Sequence, residues 1–367
     1  MGIVRLLFAL LVVGSHVGGL GDTAAGGAGI GGFFVLSGFL MARAIGEHYR
    51  GLGVLRFYVN RIVRLAPPLV AVCLLTVLVL WLRDGIGFQL SPGSTGRYLP
   101  VEYPPSATHW FNLNLQPYPN YMTPHFYTVP QAWSLVVESA FYLVAPLFVW
   151  LVSRRLGVAL VAAAAASFYI ATETSFTTSG DWMRSPVAAF WIFGLGMLVF
   201  TAAPFTRLGD GMRRLLRWTA IIPIGLMLTM AIGWLDVAPT TVLIVSPVLV
   251  ACWLLLSQFA DRRTPAWDRL IGNYAYGVFL GHYVSTMLMF WAAETIYGLT
   301  GIFGIFGQPD VSELRLRVFA YAWALAFGMV IYYAFERPFE TLRARVRTAW
   351  AARAGAAVPP GAYEPVP

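Results

Sequence analysis

The chain has 367 residues, of which 58% are hydrophobic and only 11% are charged. A soluble domain has about 25% charged residues, so this composition excludes a water-soluble globule. All 25 basic residues are arginines, and the formal net charge is +8. In a membrane protein such an excess of positive charge indicates the orientation of the helices. We therefore expect no nucleic-acid partner.

Apolar runs of about 17 to 24 residues recur along the whole chain, and about 20 helical residues cross the hydrocarbon of a bilayer. The sequence therefore predicts an all-α, multi-pass membrane bundle of ten transmembrane helices surrounded by membrane lipid. We expect these spans at residues 3–20, 28–45, 65–82, 132–153, 156–171, 185–203, 218–234, 240–258, 274–297 and 317–336.

The distribution of arginines predicts the orientation of these spans. Twenty of the 25 arginines fall on one side of the membrane. The other side receives Arg83, Arg97, Arg184, Arg315 and Arg317. By the positive-inside rule both termini lie in the cytoplasm. We expect the bundle to lie in a bacterial-type plasma (inner) membrane.

The domain organisation is simple. Residues 1–345 form the predicted transmembrane domain, and residues 346–367 form a cytoplasmic tail with too little apolar content to fold. The longest loop, 83–131, is rich in aromatic residues. Two roles are open for them: stacking on a sugar, or an aromatic belt at the membrane interface. Cys73 and Cys252 lie inside apolar runs, which predicts neither a disulfide nor a metal site.

Ionisable residues inside spans are costly, and each one is therefore a functional hypothesis. Arg5 and His16 lie eleven residues apart in the first span, on one helical face and about 16 Å apart in height. An arginine at the membrane edge binds phosphate, and a deeper imidazole acts as a general base. The alternatives are an arginine that extends to the headgroups and a histidine that only packs.

The fourth span begins with Trp133 and carries Glu138, at a depth that we expect to match that of His16. A carboxylate at this depth would orient the imidazole, as the third member of a catalytic triad does. A structural glutamate, protonated or paired with an arginine, is the alternative.

Arg61 and Arg64 lie three residues apart in the first cytoplasmic loop, before Pro67 and Pro68, which we expect to mark the entry to the third span. Two guanidinium groups side by side suit a phosphate-bearing ligand, and anchoring to the inner leaflet is the alternative. The glycines of the second span, residues 29–38, allow close approach by a helix or a ligand. His282 and Glu336 are further buried ionisable residues with either a structural or a catalytic role.

Six segments together resemble the acyltransferase-3 family of membrane acyltransferases over residues 1–340. They are the Arg5–His16 spacing, GGFFVLSGFL, RIVRLAPP, WSLVVESAFY, YAYGVFLGHY and YYAFERPFE. The glycine-rich connection between residues 18 and 32 departs from the family pattern, as do Leu65 and Ala66 before the prolines.

The resemblance implies an acyl-CoA-dependent O-acyltransferase that transfers an acyl group, most often acetyl from acetyl-CoA, to a hydroxyl of a glycan or another surface or secondary metabolite. His16 and Glu138 would be catalytic, and Arg5, Arg61 and Arg64 would bind the phosphates of the donor, with no metal. A continuous slot would connect these arginines to His16. Weaker candidates for contacts to the substrate or the oxyanion are Ser37, Trp133, Tyr142 and His282.

Two other classes of function remain open at this point. A transporter or flippase of an anionic or lipid-linked solute would use the same buried arginine, histidine and glutamate as a clamp and proton relay. Paired, interrupted helices in related halves would indicate such a transporter, and the sequence has no such symmetry. A membrane scaffold would leave the placement of Arg5 and His16 unexplained.

Overall fold

A computed structural model describes residues 1–16, 23–49, 53–86, 129–173, 181–202, 209–259, 265–305, 309–342 and 344. Within these ranges the chain is helical and contains no β-strand. Most of the predicted loop 83–131 and the whole of the predicted tail 346–367 lie outside the described residues.

The described residues form eleven α-helices. They are α1 (Gly2–His16), α2 (Thr23–His48), α3 (Gly53–Ile86), α4 (Trp133–Ser153), α5 (Gly157–Glu173), α6 (Pro186–Ala202), α7 (Asp210–Thr219), α8 (Ile221–Ala231), α9 (Pro239–Phe259), α10 (Ala266–Ile305) and α11 (Pro309–Ile331). Two 3₁₀-helices precede α4 and α6, at Pro130–Ala132 and Asp181–Arg184, and a π-helical turn, Tyr332–Glu336, follows α11.

Six segments of the described chain are helical, long and apolar enough to cross a membrane. They are Ala24–Glu47, Gly53–Val79, Trp133–Ser153, Gly211–Ala231, Pro239–Gln258 and Val318–Leu342. Three shorter apolar helices, Gly2–His16, Gly157–Glu173 and Pro186–Thr201, lie at further predicted spans. The chain is therefore a helical membrane protein, and each of the ten predicted positions contains helix.

Helix α3 differs from the sequence prediction. It has 34 residues and begins at Gly53, so the segment with the two arginines is helical rather than a loop. At about 1.5 Å per residue it is about 51 Å long, which exceeds the roughly 30 Å of bilayer hydrocarbon. Pro67 and Pro68 lie inside this helix and do not mark its start, which neighbouring helices make tolerable in membrane proteins.

Small residues bring the central helices close together. A Cβ on Gly38 of α2 would collide with the backbone of Phe193 in α6, and a Cβ on Gly32 would meet the ring of Phe8 in α1. The glycines of the second span therefore serve helix packing, one of the two uses that the sequence predicts. Helix α1 packs between α2 and α10, and α10 also packs against α11.

Candidate active site

A cavity of about 100 Å³ lies among α1, α2, α3, α4 and α10. We call it the arginine cavity, because guanidinium groups from two helices line it. Six of the residues that the sequence predicts for the site line this cavity together, namely Arg5, Ser37, Arg61, Arg64, Glu138 and Tyr142. Residues up to 137 positions apart in the chain, from Arg5 to Tyr142, are thus brought to one place inside the bundle.

Helix α3 presents two of the three guanidinium groups. Arg61 and Arg64 lie three residues apart, so one face of a continuous helix carries both. The guanidinium of Arg61 lies 5.3 Å from the ring centroids of both Phe57 and Tyr142, which holds its plane by cation–π contacts. Its Nε is buried and has no hydrogen-bond partner among the described residues. A donor in this state is available to a ligand.

Among the described residues, the lining of the arginine cavity holds three guanidinium groups and one carboxylate, that of Glu138. Arg5 interacts electrostatically with Arg61, Arg64 and Glu138, and also with Asp268 outside the lining. Glu336, at the end of the π-helical turn, interacts with Arg64, and its Oε1 is buried without a hydrogen-bond partner among the described residues. A site with surplus guanidinium charge favours a ligand with several negative charges.

Glu138 is held by two hydroxyl groups. Its Oε1 accepts hydrogen bonds from Ser37 Oγ at 2.5 Å and from Tyr142 Oη at 2.6 Å. Tyr142 lies one helical turn further along α4, whereas Ser37 reaches the carboxylate from α2. Two residues predicted as contacts to the substrate or oxyanion therefore act here as donors to Glu138.

Among the described residues, Glu138 is hydrogen-bonded to Ser37 and Tyr142, and the structure does not bring it into a hydrogen bond with His16. The Nδ1 of His16 faces the carbonyl of Val12 at 2.8 Å, and its ring lies against α10. The sequence prediction compares positions along two separate helices, but it gives no information on which helices are neighbours around the bundle.

His16 belongs to a second group of residues, which we call the histidine cluster: His16, His282 and Tyr283. The ring of His16 stacks on that of His282 with centroids 5.2 Å apart, and the ring centroid of Tyr283 lies 5.0 Å from that of His16. Arg184 interacts electrostatically with His16, and its guanidinium lies over the ring of Trp133 at 5.5 Å. The predicted residue His282 thus lies beside His16, and the predicted residue Trp133 lies beside Arg184.

The ring of Phe279 contacts both groups, because it lines the arginine cavity and lies 6.4 Å from the ring of His282. Phe33 and Phe279 line the arginine cavity and touch edge to face, with centroids 5.7 Å apart. Phe8 packs on the other edge of Phe33, also at 5.7 Å. Phe279 lies one turn before His282, and among the described residues His16 does not line the cavity. The cavity therefore does not extend to His16 among the described residues, and a slot that joins the two groups stays a prediction.

Sequence reasoning missed two residues near the site. Tyr276 lines the arginine cavity, and its hydroxyl donates to the carbonyl of Leu65 at 3.0 Å. Its spacing from Phe279 on α10 was a helical signal that could have revealed it. Asp268, at the start of α10, accepts hydrogen bonds from the backbone amides of Gly2 and Ile3. This contact joins distant parts of the chain, and no local pattern predicts it.

The arrangement can perform two chemical tasks. The arginine cavity can bind an anionic group, and the histidine cluster holds an imidazole whose Nδ1 is occupied by a backbone carbonyl. If Nδ1 carries the proton, as this contact assigns, Nε2 of His16 has a free lone pair and can accept a proton.

Comparison with known proteins identifies the family of this chain. Residues 1–333 match the family model described as an acyltransferase domain, that of the acyltransferase-3 family. No curated protein and no solved structure matched the chain. The matched region contains α1 to α11 and all the residues of both groups described above, and the chain therefore belongs to the acyltransferase-3 family and is a membrane acyltransferase.

Proposed function

We propose that this protein transfers an acyl group, acetyl in the simplest case, from cytoplasmic acyl-coenzyme A to a hydroxyl group of a glycan or of another surface or secondary metabolite. The observation that carries the proposal is the arginine cavity, whose lining in the described part of the chain holds three guanidinium groups and one carboxylate inside a bundle of acyltransferase helices.

The charge of the cavity supports coenzyme A as the donor. The nucleotide end of coenzyme A carries several phosphate charges, which match Arg5, Arg61 and Arg64. Glu138 would organise this donor site by holding Ser37 and Tyr142, rather than by orienting His16. The thioester would then be carried on the long, thin pantetheine arm toward His16, about 16 Å along α1 from Arg5.

The proposed chemistry uses Nε2 of His16 as the general base. It accepts the proton of the acceptor hydroxyl as the hydroxyl oxygen attacks the thioester carbonyl. A carbon–oxygen bond forms, the carbon–sulfur bond breaks, and the leaving thiolate takes the proton from the imidazolium. The products are an ester and free coenzyme A. For the arm to reach His16, the rings of Phe33 and Phe279 must move apart.

A covalent variant has the same overall balance. In that route Nε2 of His16 attacks the thioester first, and the acyl-imidazole then acylates the hydroxyl. Rapid release of coenzyme A, equal in amount to the enzyme and independent of acceptor, would distinguish it from direct transfer.

The orientation of the bundle supports an acceptor on the outer side. With the N-terminus in the cytoplasm, as the arginine distribution predicts, Arg5 lies near the inner face and His16 near the outer face of a bacterial-type plasma membrane. The donor would enter from the cytoplasm and the acceptor from outside. A transporter or flippase would use the same charges, but membership of an acyltransferase family favours the enzyme.

The decisive experiment uses the full chain in lipid nanodiscs with labelled acetyl-coenzyme A and a mixture of glycan acceptors. We expect time-dependent transfer of label by the wild type and none by His16→Ala, with coenzyme A binding unchanged. Exposed Ser153 on α4, replaced by alanine, is the control and should keep full activity. Label transfer at the wild-type rate by His16→Ala would remove His16 from this role, and no transfer by the wild type would contradict the proposed function.

A further inference from the structure

Helices α1 and α10 run side by side in the same direction, and their ends fix their relative register. At one end the carboxylate of Asp268 accepts hydrogen bonds from the amides of Gly2 and Ile3 at 2.9 and 2.8 Å. A Cβ on Gly2 would collide with the carbonyl oxygen of Asp268, so this contact requires glycine.

The same register brings two imidazoles together at the other end. His16 follows Gly2 by fourteen residues, and His282 follows Asp268 by fourteen residues. Each interval rises about 21 Å along its helix, so the two histidines reach the same height. Their rings stack with centroids 5.2 Å apart and planes inclined by 28°.

His282 is fully enclosed by its neighbours. Its exposed fraction is 0%, its Nδ1 faces the carbonyl of Phe279 at 2.7 Å, and its ring lies 4.6 Å from that of Tyr283. Its Nε2 has no hydrogen-bond partner among the described residues. An enclosed imidazole without a partner for its second nitrogen is costly to keep, which indicates that packing alone does not explain it.

The stacked arrangement suits a particular task. Burial of a charge without a counter-charge is unfavourable, so His282 is expected to present a neutral ring. The face of a neutral aromatic ring attracts a nearby cation. When His16 accepts a proton in the proposed reaction, its positive charge develops against the face of His282.

We propose that His282 is a positioning residue for His16: its ring fixes the plane of the His16 imidazole and stabilises the positive charge that this imidazole carries during acyl transfer. This inference rests on the proposed function. His282 itself forms no bond and exchanges no proton, because the proton passes from the acceptor hydroxyl to Nε2 of His16 and then to the leaving thiolate.

Two substitutions distinguish the effect of the His282 ring from the effect of its hydrogen bond to the Phe279 carbonyl. His282→Gln keeps a donor for the Phe279 carbonyl but has no ring, whereas His282→Phe keeps a ring but has no donor. We expect His282→Gln to lower kcat by about 3- to 30-fold, the range of a cation–π contact, with KM for acetyl-coenzyme A changed by less than about twofold. His282→Phe should recover most of the lost kcat.

Ser285→Ala, one turn further along α10, is the matched control, because Ser285 is also fully buried and bonds the carbonyl of His282. It should leave kcat and KM unchanged. An active wild type together with an unchanged kcat in His282→Gln would overturn this inference alone. A kcat of His282→Phe as low as that of His282→Gln would also overturn the inference. A rise in KM of His282→Gln as large as its fall in kcat would do the same. A wild type without transfer would overturn both the inference and the proposed function.

Discussion

The hydroxyl of Ser37 in α2 donates a hydrogen bond of 2.5 Å to Oε1 of Glu138 in α4. The same oxygen accepts a second bond from Tyr142, so a single carboxylate oxygen links two helices at the arginine cavity. We expect Glu138→Ala to leave both hydroxyls without their acceptor and to destabilise the protein by about 1–3 kcal/mol per hydroxyl. Thermal unfolding in nanodiscs measures this loss.

Glu138→Gln is the matched variant for that prediction. Its amide oxygen still accepts hydrogen bonds but carries no charge, so it should unfold between the wild type and Glu138→Ala. Equal unfolding temperatures for the wild type and Glu138→Ala would show that these bonds contribute no stability.

The two arginines of α3 should govern binding of the donor. Hydrogen bonds to charged groups contribute about 1.5–3 kcal/mol each, so Arg61→Ala combined with Arg64→Ala should weaken coenzyme A binding by about 100-fold or more. Titration calorimetry with coenzyme A, and separately with adenosine 3′,5′-bisphosphate, measures this effect. Both ligands should lose affinity, because the expected contacts are to phosphate.

Arg43→Ala is the control for the arginine pair. Arg43 is exposed on α2, and its Nε bonds Glu47 at 3.1 Å, away from the cavity. This variant should bind coenzyme A as the wild type does. An equal loss of affinity in Arg43→Ala would indicate a general effect of surface charge rather than a binding site.

Close packing of α2 on α6 predicts a large cost for a single methyl group. Gly38→Ala places a Cβ against the backbone of Phe193, which cannot give way as a flexible side chain would. We expect a loss of about 1–3 kcal/mol in the free energy of unfolding. A lower midpoint of thermal unfolding would show it.

Gly225 in α8 provides the matched control, because a Cβ there would meet nothing within 4 Å. Gly225→Ala should be neutral or stabilising by about 0.5–1 kcal/mol, since alanine loses less backbone entropy in a helix. Similar destabilisation by both substitutions would contradict the packing argument.

The contact between Asp268 and α1 should depend on pH. Burial raises the pKa of Asp268, but hydrogen bonds from the Met1 amino group and from the amides of Ile3 and Gly2 lower it more, to below the ordinary value of 3.8. A group whose pKa is lower in the folded state stabilises the protein above its unfolded pKa, and this stabilisation is lost as the pH falls through the folded pKa.

Asp268→Asn tests that expectation. We expect it to lower stability at pH 7 by about 1 kcal/mol, as the loss of a helix cap does. The difference from the wild type should narrow as the pH falls below about 4. A difference that stays constant down to pH 3 would show that the charge of Asp268 does not matter.

The sequence predicts the helices well because hydropathy is a local property. All ten predicted spans contain helix, and the arginine pair lies on one helical face as its spacing requires. The spacing of charged residues along the sequence does not show which helices are neighbours. Each of four residues is nevertheless identified by its charge in an apolar segment, and the structure brings them to one cavity, namely Arg5, Arg61, Arg64 and Glu138.

The sequence does not show which residues of different helices are in contact. The pairing of Glu138 with His16 assumes that their helices are neighbours at this point, whereas the hydrogen bonds of Glu138 are to Ser37 and Tyr142. The sequence predicts that Pro67 and Pro68 mark the entry to the third span, but α3 is helical on both sides of them. Contacts such as Asp268 with Gly2 depend on the assembled bundle.

The contact of Phe33 with Phe279 has a consequence for the cell as well as for the reaction. A permanent water-filled passage between the arginine cavity and His16 would let protons cross the bilayer and dissipate the ion gradients that energise it. The rings of Phe33 and Phe279, in contact when no donor is bound, would close this passage. They would open only around the pantetheine arm of the donor, which itself fills the space between them. A smaller side chain at residue 33 would then reveal itself as an ion leak in sealed vesicles.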